Sequence, residues 1–255
     1  MIIAILGIGE AGGTFARDLI AKGVQVRGWD PEPRNLPNGL HFASSNPAAA
    51  SGADIVLSVN WASVAVHVAT EVASVLQPDQ LYADLNTAAP QLKRDIAPII
   101  EKTGASFVDA ALMDPVPPKG LGTQVYASGS GAKNFAEKMT PFGMSVTYLD
   151  REAGNAATHK LVRSIMYKGV AAVIMECLEA AEALNMTEYA RAQMLKIIYD
   201  EAMIDRFVSG SIKHAKRRVD EMEAVVEMLN SIGVSSFTSQ ASIKRLKEIL
   251  EKKDD

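Results

Sequence analysis

Three glycines near the start of the chain have the spacing of an anion-binding loop. They follow the apolar run Met1–Leu6 and precede a helical pattern that extends from Thr14 to about Lys22. The first glycine permits a tight turn, the second lets a pyrophosphate approach the backbone, and the third lets the helix pack against the strand. The amides at the helix N-terminus favour an anion. We therefore predict that a dinucleotide contacts Gly7, Ile8, Gly9, Glu10, Ala11 and Gly12.

An acidic residue follows the next predicted strand. This strand, Val24–Trp29, leads directly to Asp30. A carboxylate at that position accepts hydrogen bonds from a ribose 2′-hydroxyl and repels a 2′-phosphate, which favours NAD. Arg34 could contact a 2′-phosphate instead, so NADP stays open as the alternative cofactor. A glycine turn in an unrelated α/β protein, or a methyltransferase, would also fit these residues.

A lysine on a long helical segment is a candidate for proton transfer. Lys160, Ser164 and Tyr167 stand at i, i+4 and i+7, which places them on one stripe of a helix. An ammonium there could exchange a proton with a reacting oxygen or stabilise its charge, although the spacing alone favours an ordinary solvated lysine. The apolar residues Leu161, Val162, Ile165 and Met166 are expected to pack inward.

Amide and hydroxyl side chains follow two other predicted strands. Val59 and Asn60 end one strand, and Asn86 and Thr87 follow another. Ligands of parallel sheets bind beyond the carboxyl ends of the strands, so these residues are candidates for cofactor contacts. The alternative is that Asn60 caps the following helix and that Asn86 and Thr87 form a turn.

A charged segment near residue 217 offers candidates for binding an anionic substrate. Arg217 or Arg218 could bind a carboxylate or phosphate through two parallel hydrogen bonds. Their spacing from Glu221 and Glu223 also fits ordinary surface ion pairs.

The elements that must position these residues fall into two styles. Residues 1–150 alternate short apolar strands with helices, which predicts a Rossmann-type α/β domain with a mostly parallel sheet. Within it we expect a strand over 106–109 and a loop over 114–122. Residues 151–255 show only helical patterns, near 155–184, 187–208, 211–231 and 236–252, and predict an all-α domain. We assign dinucleotide binding to the first domain and substrate binding to the second.

Composition excludes several classes of protein. The chain has 255 residues, 48% of them hydrophobic, and a net charge of −4. Neither half is basic enough to suggest nucleic acid or an anionic membrane as a partner. The single cysteine, Cys177, excludes an internal disulfide and is expected to be buried, and no spacing suggests a metal site. Without a signal peptide or a membrane-spanning stretch, we expect a cytoplasmic protein.

Four stretches, in order, resemble the β-hydroxyacid dehydrogenases, a family that includes 3-hydroxyisobutyrate dehydrogenase and is related to 6-phosphogluconate dehydrogenase. The resembling stretches are Gly7–Gly12, Asp84–Thr87, Asp109–Pro115 and Gly154–Lys160. The resemblance implies hydride transfer between a nicotinamide and the hydroxyl-bearing carbon of a small hydroxyacid or sugar acid. It implies that Lys160 is the catalytic residue, and that the protein is a homodimer formed through the helical domain, residues 151–255.

The sequence departs from this family at the residues that contact substrate. Met113 and Asp114 stand where the family has a serine and a glycine, Ser164 replaces an asparagine, and Tyr167 stands where 6-phosphogluconate dehydrogenase has a glutamate. We therefore predict a less characterised branch that binds a small anionic substrate. The candidate substrate residues are Met113, Asp114, Lys119, Ser164, Tyr167, Arg217 and Arg218. The alternatives are an imine reductase-like enzyme and a cofactor-binding protein without turnover.

Overall fold

The computed structural model describes the backbone of residues 1–254 and the side chains of residues 1–252. It divides into two compact units, unit 1 (Met1–Lys160) and unit 2 (Leu161 onward). The last strand ends at Asp150, so the division lies ten residues after the sheet. No helix within the described residues is both long and apolar enough to cross a membrane.

Unit 1 contains a single eight-stranded sheet in the order β3-β2-β1-β4-β5-β6-β7-β8. All neighbouring strands are parallel except β6 and β7, so the predicted Rossmann-type, mostly parallel sheet is confirmed. The strands are β1 (Ile2–Leu6), β2 (Gln25–Trp29), β3 (His41–Phe42), β4 (Ile55–Ser58), β5 (Leu81–Asp84), β6 (Ser106–Leu112), β7 (Gln124–Ser128) and β8 (Ser145–Asp150).

The helices of unit 1 connect these strands. They are α1 (Glu10–Ala21), α2 (Asn46–Ala50), α3 (Ala62–Ala73), α4 (Pro90–Glu101), the short turn α5 (Val116–Lys119) and α6 (Ala132–Met139). Single 3₁₀ turns lie at Gly120–Gly122 and Thr140–Phe142. The prediction that the first helix begins at Thr14 is wrong. The helix begins at Glu10, because the Gly13 amide already donates to the Gly9 carbonyl at 2.8 Å.

Alternating residues of the central strands build two separate apolar cores, one on each face of the sheet. In β1, Ile3 and Ile5 belong to the cluster that contains Phe15 of α1 and Phe135 of α6. Ala4 and Leu6 belong to the other cluster, with residues of α2, α3 and α4. A sheet covered on both faces explains why its strands are apolar at consecutive positions.

Strand β6 is longer than its sequence pattern predicts. We expected it to end at Asp109, but it continues to Leu112 because residues 109–112 pair with β7. The following segment, predicted as loop over 114–122, contains α5 and a 3₁₀ turn. The Asp18 carboxylate of α1 ties this segment down by accepting the Leu121 amide at 2.9 Å.

Unit 2 is entirely helical in its described part, as predicted. The helices are α7 (Asn155–Ala183), which begins in unit 1, α8 (Thr187–Ile198), α9 (Glu201–Lys213), α10 (Ala215–Ser231) and α11 (Phe237–Asp254). The prediction of one helix over 187–208 is wrong. Tyr199 adopts a left-handed conformation with φ 55°, and the Asp200 side chain then accepts the Met203 amide to cap a new helix.

Two apolar clusters hold unit 2 together. Leu161 packs with α10 and α11, whereas Ala171 and Ile174 pack with α9. The predicted inward packing is confirmed for Leu161 and Ile165, but it is wrong for Val162 and Met166, which are 56% and 70% exposed. Each lies about 100° around the helix from its inward neighbour. Cys177 is likewise exposed, contrary to expectation, because Leu178 takes the inward position.

Candidate functional site

The glycine loop joins β1 to α1, and its three glycines have different reasons to lack a side chain. Gly7 has a φ of +101°, and a Cβ atom there would overlap the Val59 carbonyl. A Cβ atom on Gly12 would overlap the Gly7 carbonyl oxygen. A Cβ atom on Gly9 would meet no protein atom within 4 Å. Two glycines therefore serve the turn itself, and the third leaves open space above the loop.

This open space lies at the N-terminus of α1. Gly9 is the N-cap residue and forms no side-chain cap, so the first-turn amides begin at Glu10 and not at the predicted Thr14. An anion over Gly9 would meet these amides and the positive end of the helix. The carboxylate of Glu10 lies in the same turn. The loop therefore fits a dinucleotide pyrophosphate, which would be held by backbone groups.

Asp30 fixes the loop to the end of β2. Its Oδ2 atom accepts the Ile8 amide at 2.7 Å, and its Oδ1 atom accepts the Glu32 amide at 2.9 Å. Each oxygen keeps a lone pair for a further donor such as a ribose hydroxyl. The Ile8 side chain is buried, so this residue can contact a cofactor only through its backbone. The Arg34 side chain is 85% exposed and lies 4.0 Å from Glu32.

A hydrogen-bond network joins the carboxyl ends of β4 and β5. The Oδ1 atom of Asn86 accepts a hydrogen bond from the backbone amide of Asn60 at 2.6 Å. The Nδ2 atoms of both asparagines donate to Ser58 Oγ at 3.1 Å. The helix-cap interpretation of Asn60 is wrong, because Trp61 is the N-cap residue of α3. Asn60 Oδ1 is buried and has no hydrogen-bond partner among the described residues. This oxygen is a free acceptor at the edge of the sheet where a parallel-sheet ligand binds.

Lys160 lies against the turn that follows β5. Its Nζ atom donates to Thr87 Oγ1 at 2.5 Å, although the two residues are 73 positions apart. Both side chains are partly buried. The neighbouring His159 is exposed, and its ring packs edge-on against Tyr126. The fold of unit 1 thus brings together two residues that the sequence singled out separately.

The start of α7 is held by two buried side chains that sequence reasoning did not identify as functional. Asp109 Oδ2 accepts the Gly154 amide at 3.1 Å and the Ala157 amide at 3.0 Å. Ser128 Oγ accepts the Ala156 amide at 3.0 Å. Burial raises the pKa of Asp109 above its ordinary value, and the nearby Lys93 opposes that rise. The sequence signal for Asp109 is its position directly after the apolar strand residues Phe107 and Val108.

The predicted substrate-loop residues occupy different environments. Met113 is buried in a small cluster with Ala111 and Ala156, and its amide donates to the Gln124 carbonyl at 2.9 Å. Asp114 instead accepts a hydrogen bond from Lys119 Nζ at 2.7 Å, and Lys119 remains 54% exposed. Ala111 and Met113 are thus directed into the protein, whereas Lys119 keeps contact with solvent.

In unit 2, Ser164 belongs to a buried polar cluster. It is fully buried and donates to Glu221, and Lys168 donates to Glu221 at 2.7 Å and to Ser164 at 3.2 Å. Burial lowers the pKa of Lys168, while the Glu221 carboxylate raises it. The interpretation of Glu221 as a surface ion-pair residue is therefore wrong, because α10 turns it toward α7.

Tyr167 and Arg218 lie in contact, whereas Arg217 does not share their environment. The Arg218 guanidinium is buried, lies 5.6 Å from the centre of the Tyr167 ring and donates to Ser211 Oγ at 2.6 Å. Tyr167 also packs against Phe207 at 4.7 Å between ring centres. Arg217 is exposed. Burial lowers the pKa of Arg218 below its ordinary value.

A glycine loop at a helix N-terminus, a strand-terminal aspartate and a parallel sheet together define a dinucleotide-binding protein. Residues 2–141 match the family model for the NAD binding domain of 6-phosphogluconate dehydrogenase. Residues 181–249 match a domain of unknown function, DUF1932. An uncharacterised 28.5 kDa protein of Methanothermus fervidus is 24% identical over 98% of this chain and its own full length.

Solved structures extend the comparison to both units. A conserved protein of unknown function, MTH1747, is 28% identical, with a TM-score of 0.77 over 98% of this chain and 97% of that one. The 3-hydroxyisobutyrate dehydrogenase of Mycobacterium tuberculosis shares the fold, with a TM-score of 0.81 at 17% identity over 97% of this chain and 92% of that one. An imine reductase from Myxococcus stipitatus shares it with a TM-score of 0.67 at 16% identity over 98% and 94%.

Similarity to a characterised sequence is partial. The 3-hydroxyisobutyrate dehydrogenase of Pseudomonas aeruginosa is 29% identical over 147 residues, which is 52% of this chain and 48% of that protein. The chain thus spans about half the length of this curated relative. With the family model covering more than half of the sequence, the chain belongs to the β-hydroxyacid dehydrogenase family of nicotinamide-dependent oxidoreductases.

Proposed function

We propose that the protein is an NAD-dependent dehydrogenase that oxidises or forms the hydroxyl group of a small anionic hydroxyacid. One observation carries the proposal: the ammonium of Lys160 lies 2.5 Å from Thr87 Oγ1, in the turn beyond β5. That turn lies at the edge of the sheet where parallel-sheet cofactors bind. A proton-transfer group is therefore next to the residues proposed to contact the cofactor.

The division of roles follows from these positions. A bound nicotinamide supplies hydride exchange with the hydroxyl-bearing carbon of the substrate. Lys160 would exchange the hydroxyl proton or stabilise charge on that oxygen, and Thr87 Oγ1 would orient the ammonium. Asn60 would contact the cofactor through its side-chain oxygen, and Asn86, whose polar atoms are used within the protein, would hold Asn60 in place. Gly9 and the first turn of α1 would hold the pyrophosphate.

NAD is the proposed cofactor because the Asp30 carboxylate is held in position and would repel the 2′-phosphate of NADP. Both of its carboxylate oxygens are held by backbone amides, so the group cannot easily turn away from a 2′-phosphate. Arg34 is exposed and would have to leave Glu32 to contact such a phosphate. We expect NADH to bind more tightly than NADPH in a fluorescence titration, and equal or reversed affinities would contradict this assignment.

Unit 2 is proposed to bind the anionic part of the substrate and to form a homodimer. Three cations, on Arg163, Lys168 and Arg218, lie between 5.5 and 5.7 Å from the Tyr167 ring centre, which supports an anion site in this unit. Exposed apolar side chains on α7 and α8, such as Met166 and Ile197, support self-association. We expect sedimentation equilibrium to show a dimer at micromolar protein concentration, and a monomer at that concentration would contradict the proposed homodimer.

Turnover can be tested with a panel of candidate substrates. Small hydroxyacids and sugar acids are screened with NAD and NADP by absorbance of the reduced nicotinamide, and cyclic imines are screened with NADH and NADPH. Oxidation of a hydroxyacid supports the proposal. Reduction of imines alone would identify an imine reductase-like enzyme. Cofactor binding without any turnover would favour a cofactor-binding protein.

The role of Lys160 requires a matched pair of variants. Lys160→Ala should lower kcat by about a hundredfold or more, because it removes the proton-transfer group, while the cofactor affinity changes little. Lys133→Ala, at an exposed position of α6, is the control and should behave as the unaltered protein. An unchanged kcat in Lys160→Ala would exclude the proposed role.

A further inference from the structure

Two buried aspartates, Asp84 at the end of β5 and Asp109 beside it within β6, share a single lysine. Lys93 of α4 is 1% exposed, and its Nζ atom donates to Asp84 Oδ1 at 2.5 Å and to the Asp84 carbonyl at 2.9 Å. The same Nζ atom lies 3.6 Å from Asp109 Oδ1. Both aspartates are fully buried. Placing three ionisable groups away from water is costly, and hydrophobic residues of similar size often stabilise a core as well.

One carboxylate of this group holds the turn that carries Thr87. Asp84 Oδ1 accepts the Asn86 amide at 3.0 Å, and Asp84 Oδ2 accepts Asn86 Nδ2 at 3.1 Å. Thr87 is the next residue in the chain. A shift of the Asp84 side chain would therefore move the backbone that presents the Thr87 hydroxyl.

The other carboxylate holds the helix that carries Lys160. Asp109 Oδ2 accepts the amides of Gly154 and Ala157, and Lys160 lies one turn beyond Ala157. Asp109 Oδ1 has no hydrogen bond among the described residues and faces Lys93 Nζ. The two partners of the Lys160–Thr87 hydrogen bond are thus attached to two carboxylates that meet at one ammonium group.

We propose that Lys93 is a positioning residue that sets the distance between Lys160 and Thr87 by joining Asp84 to Asp109. The catalytic consequence rests on the proposed function, whereas the mechanical link does not. A misplacement of about 1 Å at a reacting group can lower a rate by about a hundredfold. Lys93 Nζ donates to Asp84 and faces Asp109, so it acts on the two segments through these aspartates.

Two variants separate this link from general stability. Lys93→Met removes the ammonium but leaves two buried carboxylates. Lys93→Met/Asp109→Asn removes the ammonium and one carboxylate, so the group keeps its formal net charge of one negative. The amide oxygen of the new asparagine can still accept from Gly154 and Ala157. Lys102→Met, at an exposed position next to the end of α4, is the control.

Hydrogen exchange measured by mass spectrometry tests, without a substrate, whether Lys93 joins the two segments. We expect exchange at least about tenfold faster over residues 84–89 and over residues 154–160 in both Lys93 variants, with β1 unchanged and the control like the original protein. Faster exchange in only one of the two segments, or equally throughout unit 1, would overturn the link.

Turnover then tests whether the link serves catalysis. With a substrate from the screen, kcat of the double variant should fall at least about tenfold while its melting temperature stays within a few degrees of the original. An unchanged kcat beside loosened segments would overturn the positioning role. If the original protein oxidises or reduces no substrate, the proposed function fails, and the exchange data alone still decide whether Lys93 joins the two segments.

Discussion

In the glycine loop, a single glycine-to-alanine substitution should weaken cofactor binding without lowering the stability of the protein. Gly9 has φ −76° and ψ −155°, an extended conformation that alanine also adopts, and its added Cβ atom would meet no protein atom within 4 Å. Gly9→Ala should therefore leave the fold unchanged or stabilise it by up to about 1 kcal/mol, because the unfolded chain loses freedom. The same methyl group would occupy the space proposed for the pyrophosphate. We expect the dissociation constant of NADH to rise about tenfold or more, a loss of about 1.4 kcal/mol.

Gly12→Ala is the matched substitution with the opposite expectation. Its Cβ atom would overlap the Gly7 carbonyl oxygen and lie 3.1 Å from the Gly7 carbonyl carbon and 3.2 Å from Ile5 Cγ2. Two of these are backbone atoms in a tight turn, so they cannot rotate away. Overpacking of this kind costs about 1–3 kcal/mol. For a chain of this length, the melting temperature should fall by roughly 2–12 °C.

The assay combines thermal unfolding with a fluorescence titration of NADH for the two variants and the original protein. We expect Gly9→Ala to bind NADH more weakly without a lower melting temperature, and Gly12→Ala to have a lower melting temperature. If Gly9→Ala binds NADH as the original protein does, the open space above Gly9 is not the pyrophosphate site. If Gly12→Ala melts at the original temperature, the close packing of α1 on the turn is refuted.

Unit 2 allows two further predictions. Lys168→Met removes the buried cation that pairs with Glu221 at 2.7 Å, so the free energy of unfolding measured in urea should fall by about 3–5 kcal/mol. The double variant Lys168→Met/Glu221→Gln should recover much of that loss, because no unpaired charge stays buried. A loss below about 1 kcal/mol in Lys168→Met would contradict the buried pair. Hydrogen bonds from Lys252 and then Arg245 lower the pKa of Glu179 to about 2. The depressed pKa means that this pairing stabilises the fold above the ordinary pKa of Glu179, and the contribution is lost as pH falls toward 2. A carboxyl NMR titration should show a higher pKa in Arg245→Met, and an ordinary pKa in the original protein would refute the pairing.

Much of unit 1 could be predicted because its signals are local. The apolar runs, the turn residues and the glycine spacing each lie within a few neighbouring positions. Strand β2, predicted over Val24–Trp29, is observed over Gln25–Trp29. The errors lie where a partner distant in sequence extends an element. Strand β6 runs past Asp109 to Leu112 only because β7 pairs with it.

The candidate site shows the same division. Lys160 and Thr87 were identified separately, from helix spacing and from the end of a strand, and only the fold brings their side chains within hydrogen-bonding distance. Lys93 was not identified, because nothing in its sequence neighbourhood distinguishes a buried lysine from an exposed one. Its burial follows from the face of α4 that meets the sheet.

The order of residues along the chain was sufficient for the Rossmann-type sheet, the glycine loop, the aspartate after β2 and the helical character of the second half. Each depends on interactions over one turn or one strand, which periodicity and residue type express directly. The environment of charged side chains needed the folded structure. Glu221 and Arg218 are buried, whereas Arg217 is exposed. A charged group can be removed from water only where partners offset the cost, and packing alone brings those partners within reach.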